Sequence, residues 1–227
     1  INLRANCDLV IAQLGARRDN PDCNTADTNV TRDIFEVAKN PNIDIVVELI
    51  GGTDVAYELV MTALDNGKHV VTANKALIAQ HGMEIFAAAE ARGLMVAYEA
   101  AVAGGIPIIK ALREGLSGNR INWLAGIING TTNFILSEMD SKGREFADVL
   151  TEAQEKGYAE ADPTFDVEGI DAAHKLVIMA SLAFAMPLNL DGIFTDGITK
   201  LEPQDVGYAR ELGYAIKHLG ITRQTEN

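Results

Sequence analysis

The chain has 227 residues, a formal net charge of −13 and 48% hydrophobic residues. That supports a sizeable core in one large or two modest domains and argues against disorder. The acidity argues against nucleic acid and anionic membrane surfaces, both of which call for clustered Lys and Arg, and no apolar run reaches the roughly 20 residues of a spanning helix.

The chain opens without Met and soon enters a strand-like run, 8–14. A helical pattern follows over 31–39. Two apolar runs, IDIVVELI (43–50) and HVVTA (69–73), flank a helix over 55–66, with Asp54 and Asn66-Gly67 as cap and stop signals. A helix over 82–92 leads to a fourth run, MVAYEAAVA (95–103). These runs are rich in Val and Ile with little polar alternation, the pattern of strands covered on both faces. Strands alternating with helices of about ten residues imply parallel βαβ units and a doubly wound sheet.

Around Pro107 the rhythm changes. A helix entered by Pro closes near Gly115 to Gly118. A strand is expected over 121–130, then a helix capped by Thr131 or Thr132, and another over 146–156 ended by Gly157. Residues 170–186 form a helix whose apolar C-terminal half must be buried. The tail suggests a short strand, a helix over 205–212 and a last strand. A division into 1–107 and 108–227 follows, a nucleotide-type α/β domain and a second α+β domain.

Cys7 and Cys23 form no CxxC pair and are too few for a disulfide framework, so a reduced, cytoplasmic setting is expected. With no secretory signal visible, the sequons at Asn29 and Asn129 read as chance matches. The histidines, His69, His81, His174 and His218, show no metal-ligand spacing, and His174 reads as a packing residue.

Ligands of a doubly wound sheet bind at the carboxyl ends of its strands. Two segments stand there. In ELIGGT (48–53), Gly51 and Gly52 let the backbone approach a ligand and Thr53 offers a donor; an ordinary turn would look the same. In VTANK (71–75), Asn74 and Lys75 suit an amide or a phosphate; a solvated helix start would too. GxGxxG is absent, so in a dinucleotide fold the phosphate loop would precede Ile1 and 8–14 would be the second strand. Arg17 and Arg18 then stand where a carboxylate would select NAD(H), which favours NADP(H).

The stretch GYAEADPTFDVEGIDAAHK (157–175) places Glu160, Asp162, Asp166, Glu168 and Asp171 ahead of one amine, Lys175. Asp171 and Lys175 are four apart on a helix and can meet. Beside a buried helix, a partly desolvated lysine needs a partner or a use, and a positioned ammonium can act as a general acid. The acidic spacing does not fit an EF-hand.

This stretch resembles the signature of the homoserine dehydrogenase family through Gly157, Tyr158, Glu160, Asp162, Pro163, Asp166, Gly169, Asp171 and Lys175. VVELIGG (46–52), HVVTANKALIA (69–79), YEAAVAGGIPII (98–109) and GIINGTTNFIL (126–136) agree in order. The resemblance implies an NAD(P)-dependent oxidoreductase that interconverts L-aspartate 4-semialdehyde and L-homoserine in threonine, methionine and isoleucine biosynthesis. It implies Lys175 as proton donor, assisted by Lys75; Glu160, Asp171 and Asp166 as substrate ligands; Gly52, Thr53, Lys75 and Gly157 as cofactor contacts. It also implies a monovalent cation, sodium, at Glu99, Val102, Gly104 and Ile106, and a homodimer or homotetramer. The family's Gly-rich N-terminal unit and the end of its catalytic region are not present, so the chain reads as an internal fragment. The alternatives are a related dehydrogenase of another small substrate and a cofactor-poor binding fragment.

Overall fold

In the computed structural model, which describes residues 2–225, the chain divides into two compact units, Ile1–Ala101 and Val102–Asn227. The first opens with a single helical turn, α1 (Asn2–Ala5), and then alternates strand and helix. β1 (Gln13–Gly15) pairs in parallel with β2 (Asn29–Thr31), and α2 (Ile34–Lys39) follows, capped by the Asp33 carboxylate on the Phe35 N–H. β3 (Ile45–Glu48), β4 (His69–Thr72) and β5 (Val96–Ala97) form a parallel sheet in that order. The crossovers are α3 (Asp54–Asp65) and α4 (Lys75–Ala91). This is the parallel βαβ plan that the alternation predicts.

The register lines Val46, Val70 and Val96 up across the sheet, and all three are buried. Leu59, Val60 and Leu64 of α3 and Leu77, Ile78 and Ile85 of α4 are buried in the same unit. Each such side chain contributes about 1.5–3 kcal/mol of burial free energy.

Several expectations are corrected. The strand expected over 8–14 shrinks to Gln13–Gly15, because β2 offers only three partners, and Leu9, Val10 and Ile11 are exposed. β3 is not covered on both faces: Ile45 and Val47 are 43% and 58% exposed while Val46 and Glu48 are buried. Branched residues suit the pleated backbone whether or not a face is covered, so composition misleads there. The helix expected from residue 82 starts at Lys75, because the Asn74 side chain accepts from the Leu77 N–H and caps it. Asp54 is the first helical residue rather than the cap.

The second unit opens with α5 (Ile108–Lys110), which runs into a π-turn over Ala111–Gly115. β6 (Trp123–Gly126) pairs antiparallel with β7 (Gly220–Arg223). Between them lie α6 (Gly130–Lys142), α7 (Phe146–Glu155), α8 (Thr164–Val167), α9 (Ile170–Phe184) and α10 (Pro203–Glu211). Ile135, Leu136 and Met139 of α6 pack with Val149, Val167, Ile198 and Val206 in one core. Asn129, not a threonine, caps α6: its carboxamide oxygen accepts from the Thr132 N–H at 2.8 Å. The short strand expected at the start of the tail is not formed: Ile198 lies in a bend and Thr199 and Lys200 in a turn, and the Ile198 N–H instead donates to the Val167 carbonyl. Cys7 and Cys23 are free, exposed thiols. Among the described residues no helix is long and apolar enough to cross a membrane.

Candidate active site

Gly169 stands before α9 with φ +80°, and a Cβ there would lie 3.0 Å from His218 Nε2 and from Thr195 Cγ2. Only glycine meets both demands. The turn it makes sets the phase of α9, whose first turn carries Asp171 and whose second carries Lys175. Lys175 Nζ donates to Asp171 Oδ2 at 2.6 Å and to the Ile128 carbonyl at 2.9 Å. The side chains are 19% and 5% exposed. A pair this enclosed differs from a surface pair, because truncating either partner strands a buried charge. Among the described residues, two of the three ammonium donors are committed, and the third can serve a substrate.

The carboxylates are gathered by a residue that the sequence reading passed over. Asn129 Nδ2 donates to Asp171 Oδ2 at 2.9 Å and to Asp166 Oδ1 at 2.7 Å. Its oxygen accepts from both the N–H and the hydroxyl of Thr132. Read from the sequence, Asn129 is a chance sequon; in the fold it is buried and fully engaged. Its signal was the spacing of NGTT, an Asn cap three residues ahead of the N–H it caps. Asn133, one turn on, donates to the carbonyls of Asn129 and His218 and accepts from the His218 N–H. The Thr131 hydroxyl donates to the Tyr158 carbonyl at 2.7 Å. The first turn of α6 therefore ties together the turn after α7, α8, α9 and the segment before β7.

The remaining carboxylates divide. Asp162 accepts from the Thr164 hydroxyl and N–H, which hold its carboxyl below the usual range. Glu168 accepts from the Thr199 hydroxyl. Both shape the turn. Glu160 is exposed and stands outside the Asn129 network; only its carbonyl is engaged there, by Gln154 Nε2. Gly157 ends α7 in the left-handed region at φ +72°. His174 is buried with its ring edge-on to Phe165, as a packing residue should be.

In the first unit, Gly51 and Gly52 have φ +70° and +71°, with nothing within 4 Å of where a Cβ would stand. The loop is open on one side and braced on the other. Asn74 Nδ2 donates to the Gly52 carbonyl at 2.6 Å, joining the two strand-end segments. Thr53 precedes α3, a 12-residue helix, and Lys75 is the first residue of α4. Arg17 and Arg18 follow β1 after Ala16 and are exposed. A third arginine, Arg32, anchors their loop through the Ala16 carbonyl and Asp19. An open glycine edge and exposed guanidinium groups at strand ends fit a dinucleotide. Val102 is buried, Gly104 and Ile106 are exposed, and Glu99 lies on a 3₁₀ turn over Glu99–Ala101. The Ile106 carbonyl accepts from the Ile108 N–H, which leaves it a second lone pair. Among the described residues no cluster of three or more His, Cys, Asp or Glu could hold a metal.

The family model for homoserine dehydrogenase matches residues 107–226, and that for the homoserine dehydrogenase NAD binding domain matches residues 2–99. The chain belongs to the homoserine dehydrogenase family. It is 68% identical over 224 residues to the homoserine dehydrogenase of Pseudomonas aeruginosa, covering 99% of this chain and 52% of that protein. Against the homoserine dehydrogenase of Neisseria gonorrhoeae it is 56% identical, over 99% of this chain and 50% of the other. The crystal structure of a homoserine dehydrogenase from Thiobacillus denitrificans superposes with a TM-score of 0.94 at 60% identity, over 99% of this chain and 52% of that one. A hyperthermophilic archaeal homoserine dehydrogenase in complex with NADPH gives 0.72 at 28% identity, over 85% and 56%. The chain thus spans about half the length of the curated relatives it matches. Its first unit matches the family's NAD binding domain, a Rossmann-type part.

Proposed function

We propose that this chain carries the chemical centre of an NADP(H)-dependent homoserine dehydrogenase, which interconverts L-aspartate 4-semialdehyde and L-homoserine. The observation that carries the reading is the Lys175 ammonium, fixed by Asp171 and the Ile128 carbonyl with one donor left to give. NADPH, once held by the first unit, would supply the hydride for the aldehyde carbon. Lys175 then hands a proton to the forming alkoxide, and Asp171 stabilises the ammonium that the step requires. Glu160, Asp166 and Asp171 receive the substrate's amino and hydroxyl ends and hold it in reacting geometry. Lys75 stands by the cofactor and assists proton transfer.

Gly52, Thr53 and Gly157 line the dinucleotide, and Arg17 and Arg18 take the 2′-phosphate. A sodium ion held by carbonyls at Glu99, Val102, Gly104 and Ile106 completes the assignment, in a homodimer that serves threonine, methionine and isoleucine synthesis. Residues 1–107 act as the nucleotide domain and 108–227 as the substrate domain. The test is NADPH oxidation by the full-length protein with L-aspartate 4-semialdehyde beside other semialdehydes. Turnover selective for the aspartate compound supports the reading; equal or better turnover of another aldehyde overturns it.

A further inference from the structure

Glu48 is fully buried, and the mechanism above gives it no task. Strand register explains where it stands. Val46 pairs with Val70, and two residues on, at the same phase, Glu48 pairs with Thr72. A row of valines thus ends in a carboxylate. Among the described residues no cation pairs with it, and its partners are hydrogen-bond donors alone. Oε1 accepts from the N–H groups of Ile50 and Gly51 at 2.8 and 3.3 Å. Oε2 accepts from the Thr72 hydroxyl at 2.5 Å. That hydroxyl in turn accepts from the Asn74 N–H at 2.9 Å. Asn74 closes the circuit through its side chain, to the Gly52 carbonyl and to the Leu77 N–H at the start of α4.

A buried carboxylate is costly, and an apolar side chain of similar volume is often no less stable. Its benefit therefore lies in the conformation it selects rather than in stability. Every donor it accepts belongs to one of the two strand-end segments, and each segment leads into a helix. We infer that Glu48 is a positioning residue for cofactor binding: its carboxylate locks the Gly51-Gly52 loop and the Asn74-Lys75 helix start into one rim, on which the dinucleotide rests. Glu48 touches no ligand itself. The inference rests on the nucleotide reading above, though not on the identity of the substrate.

Glu48→Gln separates position from bulk. The amide keeps the shape but replaces one acceptor oxygen with a donor. If its N–H2 group faces Ile50 and Gly51, donor meets donor; if it faces Thr72, the hydroxyl must turn to accept it and loses the acceptor for its own proton. Thr72→Val removes the second arm together with the acceptor of the Asn74 N–H, and Thr72→Ser restores both. In the full-length protein, NADPH affinity is read by fluorescence titration, alongside thermal midpoint and steady-state constants. Glu48→Gln and Thr72→Val are expected to raise the NADPH dissociation constant and KM about ten- to hundredfold, the scale of a misplaced binding group. KM for the semialdehyde and kcat at saturating cofactor stay within about threefold, and Thr72→Ser returns near wild type, since only cofactor placement changes. A lowered thermal midpoint with unchanged NADPH affinity overturns the inference and leaves Glu48 a structural residue. If Glu48→Gln does not fold, the Thr72 pair decides by the same criterion. Wild type that binds neither NADPH nor NADH overturns the nucleotide reading and this inference together. Wild type that binds NADPH but leaves the semialdehyde untouched overturns only the substrate assignment, and the titrations still decide on Glu48.

Discussion

Lys175 Nζ and Asp171 Oδ2 stand 2.6 Å apart, one helical turn from each other, with the Ile128 carbonyl as the second anchor of the ammonium. An i,i+4 pair is ordinarily a surface ornament worth a few tenths of a kcal/mol. Burial changes that, because each charge depends on the other. Lys175→Ala in the full-length protein is expected to lower kcat about 10²–10⁴-fold, the range of general acid catalysis, with modest change in KM. Normal kcat in that variant would remove Lys175 from the mechanism. Glu160→Asp should instead raise KM for the amino-acid substrate, whereas Asp171→Ala should raise that KM and lower kcat together, because it also removes the anchor of the Lys175 ammonium.

Asn129 serves two masters, the α6 cap and the paired carboxylates. Asn129→Ala removes the cap and strips a donor from two acids at once. A loss of roughly 2–4 kcal/mol is expected from the summed cap and buried-partner effects, measured by urea unfolding. Asn129→Asp keeps the capping oxygen, so its loss comes from the two missing Nδ2 donations and from setting a third carboxylate against Asp166 and Asp171. An Asp variant as stable as wild type would mean that the two acids do not need the amide.

Arg17 and Arg18 lie exposed at the end of β1, on a loop that Arg32 ties to Ala16 and Asp19. Replacing both with Ala should lower kcat/KM for NADPH by about tenfold or more, as expected when charge-assisted bonds to phosphate are lost, and leave that for NADH nearly unchanged. An equal fall with both cofactors would assign the pair to loop structure instead.

Glu152 accepts from Lys156 and Arg144, and these bonds, with the two positive charges, lower its carboxyl from an ordinary 4.5 to about 2. The folded state therefore binds this proton less readily than the unfolded chain, and the pair stabilises the fold above the unfolded value. The contribution falls as pH drops from 4.5 towards about 2. The urea midpoint of Glu152→Gln should trail wild type at neutral pH and converge on it across that window. A constant gap down to the acid end would contradict the linkage.

Much of the site is legible in local sequence. The i,i+4 spacing of Asp171 and Lys175 holds on any helix, and the left-handed turn at Gly169 demands its residue type. Glu160 is legible only through family resemblance, since nothing in its exposed setting marks it. Asn129 and Glu48 were missed for one reason. Each is polar where the local pattern calls for a cap or an apolar strand residue, and each finds partners that are near in space and far along the chain: Asn129 bonds residues 37 and 42 positions away, and Glu48 bonds one 24 away.

Backbone period and side-chain chemistry thus determine, without tertiary information, that this chain alternates β and α and carries one amine among carboxylates on a buried helix. Which face of β3 is covered, where α4 begins and what holds the carboxylates together are decided only by the fold. Burial and hydrogen-bond satisfaction are properties of the surroundings, and a residue's neighbours in sequence supply only part of them.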